Sequence, residues 1–134
     1  MKADDTGDVT LSLVLWKQKK SLAFLGSAHL HRGQYLMVKG GGVVTALDPV
    51  SGKDLYRERV ANGKYYASPV AANGHIYFTS LDGEVTVVKP ESEKIVVAAE
   101  NPKLDERTTA TPAIADDTFY IRTERHLYAF AKPE

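Results

Sequence analysis

The 134-residue chain contains no cysteine, so neither disulfides nor thiol chemistry is available to it. It also carries no net charge, with 17 basic against 17 acidic residues and no long block of either sign. A nucleic acid or an anionic membrane surface wants a basic face, and neither is expected as a partner. Aromatic residues are not interleaved with Lys and Arg as a base-stacking platform requires. The longest apolar run, Leu11 to Trp16, is broken by Ser12 and is too short to span a bilayer. Met1-Lys2-Ala3-Asp4-Asp5 opens the chain without the apolar core of a signal peptide. No segment has a helical period, and Pro49, Pro69, Pro90, Pro102 and Pro112 fall at strand edges or turns.

What the chain does have is an internal repeat. Gly33-Gln34-Tyr35 returns as Gly74-His75-Ile76-Tyr77 and Asp117-Thr118-Phe119-Tyr120, a spacing of 41 to 43 residues. Gly42-Val43-Val44-Thr45-Ala46-Leu47 returns as Gly83-Glu84-Val85-Thr86-Val87-Val88. Self-similarity at about 40 to 45 residues with four short strands per copy is the signature of a β-propeller blade. The fold class is therefore all-β, with blades of four antiparallel strands and about three blades per chain.

Four parts are expected within one half-propeller domain spanning residues 1–134: an outer strand at 8–17, a first blade at 27–59, a second at 67–99 and a three-stranded third at 109–131. Asn73-Gly74 and Asp82-Gly83 are type I′ hairpin signals, and Arg32-Gly33, Gly40 to Gly42 and Asp48 to Gly52 are turns. Leu15-Trp16-Lys17 lines up with Leu55-Tyr56-Arg57 and, in the second blade, with Val96 and Val97. The front strand thus has the character of a blade's outermost strand, the one the third blade is missing.

Asp48-Pro49-Val50-Ser51-Gly52-Lys53-Asp54-Leu55-Tyr56 resembles the "LD-x-x-T-G-K-x-L-W" segment of pyrroloquinoline-quinone-like propeller repeats. Tyr66-Ala67-Ser68-Pro69-Val70 through Ser80-Leu81-Asp82-Gly83 is similar to another part of the same repeat. The resemblance covers about residues 8 to 132 and implies the C-terminal portion of a larger bacterial propeller, of a class that includes outer-membrane assembly scaffolds and is usually exported. Quinone-dependent members of that fold use a vicinal disulfide and a calcium cluster. Neither has a counterpart here, so pyrroloquinoline quinone and dehydrogenase activity are not expected.

Three blades do not close a ring, and two chains would give six, within the usual range of about four to eight. The expected assembly is a two-fold homodimer in which the Leu11–Lys17 strand of each subunit completes the third blade of the other, with Trp16 anchoring the seam. Both terminal blades of a lone chain are expected to expose apolar faces.

Two groups of residues are candidates for chemistry. His29 and His31 replace the apolar Val70 and Ala72 of the next repeat and, two apart on a strand, point to one side. Such a pair can ligate zinc, with a third ligand from His75, His126, a carboxylate or a partner subunit. The chemistry would be hydrolysis of an ester or phosphoester by metal-activated water; the bland alternative is two polar side chains satisfied at a blade interface. Lys64, Tyr65, Tyr66 and Arg107 precede innermost strands, where loops open onto a channel mouth, and are expected to contact a small-molecule or peptide ligand. Gly40-Gly41-Gly42 is a hairpin turn rather than a phosphate loop, because a strand follows it. No Gly-x-Ser-x-Gly elbow is present, and Ser27, Ser68 and Ser80 sit at repeat positions. The leading expectation is a self-assembling interaction scaffold, and a zinc-dependent hydrolase is the alternative.

Overall fold

Eleven strands alternate with short turns in the computed structural model, which describes residues 14–20, 22–23 and 25–132. Strands β1 (His29–His31), β2 (Gln34–Lys39), β3 (Val43–Leu47) and β4 (Asp54–Arg59) form one antiparallel sheet in chain order. Strands β5 (Val70–Ala72), β6 (His75–Thr79), β7 (Val85–Pro90) and β8 (Ile95–Glu100) form the second. Strands β9 (Ala113–Ala115), β10 (Thr118–Arg122) and β11 (Leu127–Phe130) form the third. These are the three expected blades. No helix occurs among the described residues.

The inner hairpins are closed by two-residue turns with positive φ at both positions: Arg32-Gly33, Asn73-Gly74 and Asp116-Asp117. That is the type I′ geometry, whose twist matches that of the flanking strands. Asp82-Gly83 is different. Only Gly83 has a positive φ, and its amide bonds back to the Ser80 carbonyl at 3.1 Å. Gly42 makes the same bond, to the Lys39 carbonyl at 3.1 Å, but there the preceding Gly41 also has a positive φ. A glycine is required at both turns, since a Cβ at Gly42 would run into the Ala61 backbone and one at Gly83 would lie 2.8 Å from the Leu104 side chain.

The core is the seam between the first two blades. Register places Leu36, Ala46 and Tyr56 side by side on one face of blade 1, with Val38 beside Val44. Ile76 and Val88 pair on the facing side of blade 2, where Phe78 joins them. Val60, Ala61 and Tyr65 of the linker between the blades complete this buried cluster, together with Ile95 of β8. Fully burying each large side chain contributes about 1.5–3 kcal/mol.

Three details differ from the expectation. Residues 8–13 of the front strand lie outside the described residues, and Val14–Lys17 is not strand. Trp16 is seated on its own chain, donating from Nε1 to the Pro49 carbonyl at 2.9 Å and meeting Tyr35 edge-on at 6.2 Å. In this position it is fastened to blade 1 and does not project toward a neighbour as a seam anchor. The face of blade 1 turned away from blade 2 is also closed: Met37, Thr45 and Leu47 on it are buried. Among the described residues the open face is that of blade 3, with Ala113, Ala115, Leu127 and Ala129 exposed.

A β-bulge interrupts both outer pairings, at Ala46/Leu47 and at Val87/Val88. Because the β7–β8 turn is longer, the ladders put Ala99 rather than Val97 at the position of Tyr56. Matching by residue type alone missed those two residues.

Candidate functional site

The linkers between blades run over the β2–β3 and β6–β7 turns and are stitched to them by backbone bonds. Leu81 N–H donates to the Lys64 carbonyl at 2.7 Å, and Glu124 N–H donates to the Arg107 carbonyl at 2.9 Å. Lys64 and Arg107 are therefore equivalent residues, 43 apart, each placed by the turn of the following blade. Thr108 N–H donates to the Leu81 carbonyl at 2.8 Å, so the Ser80–Gly83 turn is held between both linkers.

This stitching creates an open cleft of about 640 Å3 lined by Lys64, Tyr66, Leu81, Asp82, Glu106 and Arg107, together with Asp105. Three of the four residues expected to meet a ligand are thus brought together. The fourth is not. Tyr65 alternates away from the cleft into the first seam, where it is 3% exposed. Burial pushes its hydroxyl pKa up, against a smaller opposing pull from the Thr86 hydroxyl.

Two of the three acidic groups of the cleft, Asp82 and Glu106, are already engaged. Asp82 pairs with Lys103 at 3.2 Å. Glu106, 6% exposed, accepts from Thr123 Oγ1 at 2.5 Å on one oxygen, and from His126 Nδ1 at 2.8 Å and Tyr128 Oη at 3.0 Å on the other. The Thr123 hydroxyl above all, with His126 and Tyr128, outweighs desolvation and holds the Glu106 carboxyl down at about 2. The same bond raises the Tyr128 pKa. With Glu106 ionised, the Nδ1 proton of His126 is fixed on the carboxylate, and the ring lies largely in solvent. Sequence reading missed Glu106. Its signal was the replacement of Gly63, the equivalent linker position, by a carboxylate that is followed by alternating His126 and Tyr128, in the turn before β11 and at its start.

His29 and His31 do share a face, their rings 6.2 Å apart and tilted by 31°. They lie on the innermost strand, on the side turned toward blade 2, since His29 pairs with Leu36. His31 Nε2 is buried without a partner, and desolvation first, then Arg32 and His29, lowers its pKa. The proposed third ligands are elsewhere: His75 Nδ1 is 3.0 Å from the Asn73 carbonyl and His126 is held by Glu106. Among the described residues no group of three or more metal-ligating side chains assembles. The repeat serines are structural: Ser27 N–H donates to Ser68 Oγ at 2.9 Å, and Ser68 N–H to Thr111 Oγ1 at 3.2 Å.

Residues 12–131 match the family profile described as outer membrane protein assembly factor BamB, of the pyrroloquinoline-quinone-like repeat type. The chain belongs to this BamB-like propeller family. Its fold is similar to the crystal structure of BamB from Moraxella catarrhalis, with a TM-score of 0.61 and 18% identity. That similarity covers 77% of this chain and 32% of the Moraxella protein, so the chain spans about a third of that relative. None of the curated proteins matches the chain. The blades of this chain follow one another as propeller blades do, and the linker cleft stands at one end of the second and third.

Proposed function

We propose that the chain is an interaction scaffold whose linker cleft holds a short, acidic segment of a protein partner. The observation that carries this reading is the charge left over in the cleft. Asp82 and Glu106 are partnered, which leaves Lys64 and Arg107, on adjacent linkers and in no ion pair among the described residues, against the single further carboxylate of Asp105. Two such cations beside the Tyr66 ring suit a carboxylate-bearing chain, and an assembly-factor family accords with a protein partner. Fluorescence anisotropy with a labelled, capped peptide carrying two glutamates tests it. Lys64→Ala with Arg107→Ala should weaken binding by about tenfold or more, in a salt-dependent way. Equal binding by wild type and the double variant would sink the reading.

Self-association is the second element of the proposal: a homodimer in which the segment upstream of Val14 of one copy extends the third blade of the other, while Trp16 stays on its own blade 1. The free edge of β11 and the open face of blade 3 support it. Light scattering that returns a monomer at micromolar concentration would end it.

The metal-dependent alternative is favoured by one observation, the buried, unpartnered Nε2 of His31 beside His29. These two side chains fit part of a zinc site, with further ligands from a second copy, and zinc would supply Lewis-acid activation for ester or phosphoester hydrolysis. Stoichiometric zinc lost in His31→Ala would support it; no uptake of added zinc would eliminate it.

A further inference from the structure

The second seam, between blades 2 and 3, contains an apolar cavity of about 410 Å3 lined by Tyr77, Val85, Leu104, Phe119, Ile121 and Phe130 among others. Its polar neighbours are already satisfied. Asn101 Nδ2 donates to the Val85 carbonyl at 3.0 Å, and Lys103 is paired with Asp82. Nothing at its rim selects for a polar ligand. The sister position in the first seam explains the vacancy. There Val88, the counterpart of Phe130, is 0% exposed, with Ile95 of the fourth strand packed in the same buried cluster. Phe119 pairs with Phe130 as Ile76 pairs with Val88, but Phe130 is 44% exposed. Among the described residues β11 has no strand on its outer side, and the side chain that would do the work of Ile95 is missing.

We infer that this cavity is the receiving pocket for leucine side chains of residues 9–13 of a second copy, delivered by a strand that pairs with the free edge of β11. The inference rests on the homodimer reading and gives it an address. Cavity and edge adjoin, so an extended segment can supply backbone hydrogen bonds and an apolar side chain together. The segment upstream of Val14 has the required alternation, with Val9, Leu11 and Leu13 on one face and Thr10 and Ser12 on the other. Val14 and Leu15, at its described end, are 44% and 81% exposed and so uncommitted. Trp16 fastens the root of the segment to the first blade of its own chain, two blades away from its own β11. That arrangement favours a second copy over self-closure.

The absence of cysteine makes the test clean. In a Ser12→Cys/Ala129→Cys variant the two thiols fall on the side of the joined strands away from the cavity, and mild oxidation should give a covalent dimer on a denaturing gel. Leu13→Asp and, separately, Phe130→Glu should raise the dimer dissociation constant by about tenfold or more by placing a charge in hydrocarbon. Circular dichroism controls for folding, and Phe130 is exposed enough to accept the change in a monomer. A dimer by light scattering that neither cross-links nor responds to either charge would overturn this pocket while leaving the homodimer standing. A monomer would overturn both. A disulfide formed within one chain would show self-closure and also overturn the second-copy assignment.

Discussion

The two seams of this molecule use equivalent positions and reach opposite ends. In the first, Tyr56, Val60 and Tyr65 enter the buried cluster from blade 1 and its linker. Forty-three residues on, the same places hold Ala99, Lys103 and Thr108. Blade 3 answers with larger residues on its side, Tyr128 for Thr86 and Phe130 for Val88, but the exchange does not restore closure. The first seam is sealed with hydrocarbon. The second is held partly by a polar cluster, Glu106 with Thr123, His126 and Tyr128, and keeps an apolar cavity beside it. A repeat therefore dictates where blades meet, while the individual copies decide whether the meeting is finished.

Matched truncations give the sharpest test of that difference. Phe78→Ala removes a ring 1% exposed in the sealed seam and should cost about 3–5 kcal/mol in urea unfolding. Phe130→Ala, in the open seam, should cost no more than about 1 kcal/mol. Equal losses would mean that the second seam is as well packed as the first. The turn glycines come next. Gly42→Ala forces a Cβ onto backbone and should destabilise by more than about 1 kcal/mol, and Gly83→Ala, where the obstacle is Leu104 Cβ at 2.8 Å, should cost somewhat less. A larger loss at Gly83 would invert the ranking of the two turns.

Trp16→Ala tests the closure of blade 1's far face. Loss of the indole hydrogen bond and the edge contact with Tyr35 should cost about 1 kcal/mol and speed amide exchange at Tyr35. The remaining test, at Glu106, is read in pH. Its folded pKa of about 2 lies below the ordinary 4.5, so its contribution is complete above the ordinary value and fades as pH falls toward 2. Stability of wild type should drop across that window, and Glu106→Gln should flatten the drop. An unchanged acid profile in the variant would show that the cluster does not hold the second seam.

Much of this architecture was legible in the sequence because periodicity and turn chemistry are local. The Asn73-Gly74 turn, the strands around it and the grouping of Lys64 with Arg107 follow from spacing and from which residues tolerate positive φ. What escaped was decided across blades. Tyr65 sits between two cleft residues, and only the direction of its side chain separates core from surface. Glu106 gains its meaning only from the three donors that the β10–β11 turn and β11 bring to it, Thr123, His126 and Tyr128. Trp16 carried the composition of an outer strand but found the Pro49 carbonyl of its own chain first.

The stitched linkers have a mechanical consequence. Tension applied at the end of blade 3 would reach blade 2 through few ties, among them the amide of Glu124 on the Arg107 carbonyl and that of Ser68 on Thr111. Blade 2 passes the load to blade 1 through a sealed core as well as through such bonds. Springs in series yield at the softest joint, so the molecule would peel from its C-terminal end, one blade at a time. The same softness lets the last blade separate and re-dock without melting the other two.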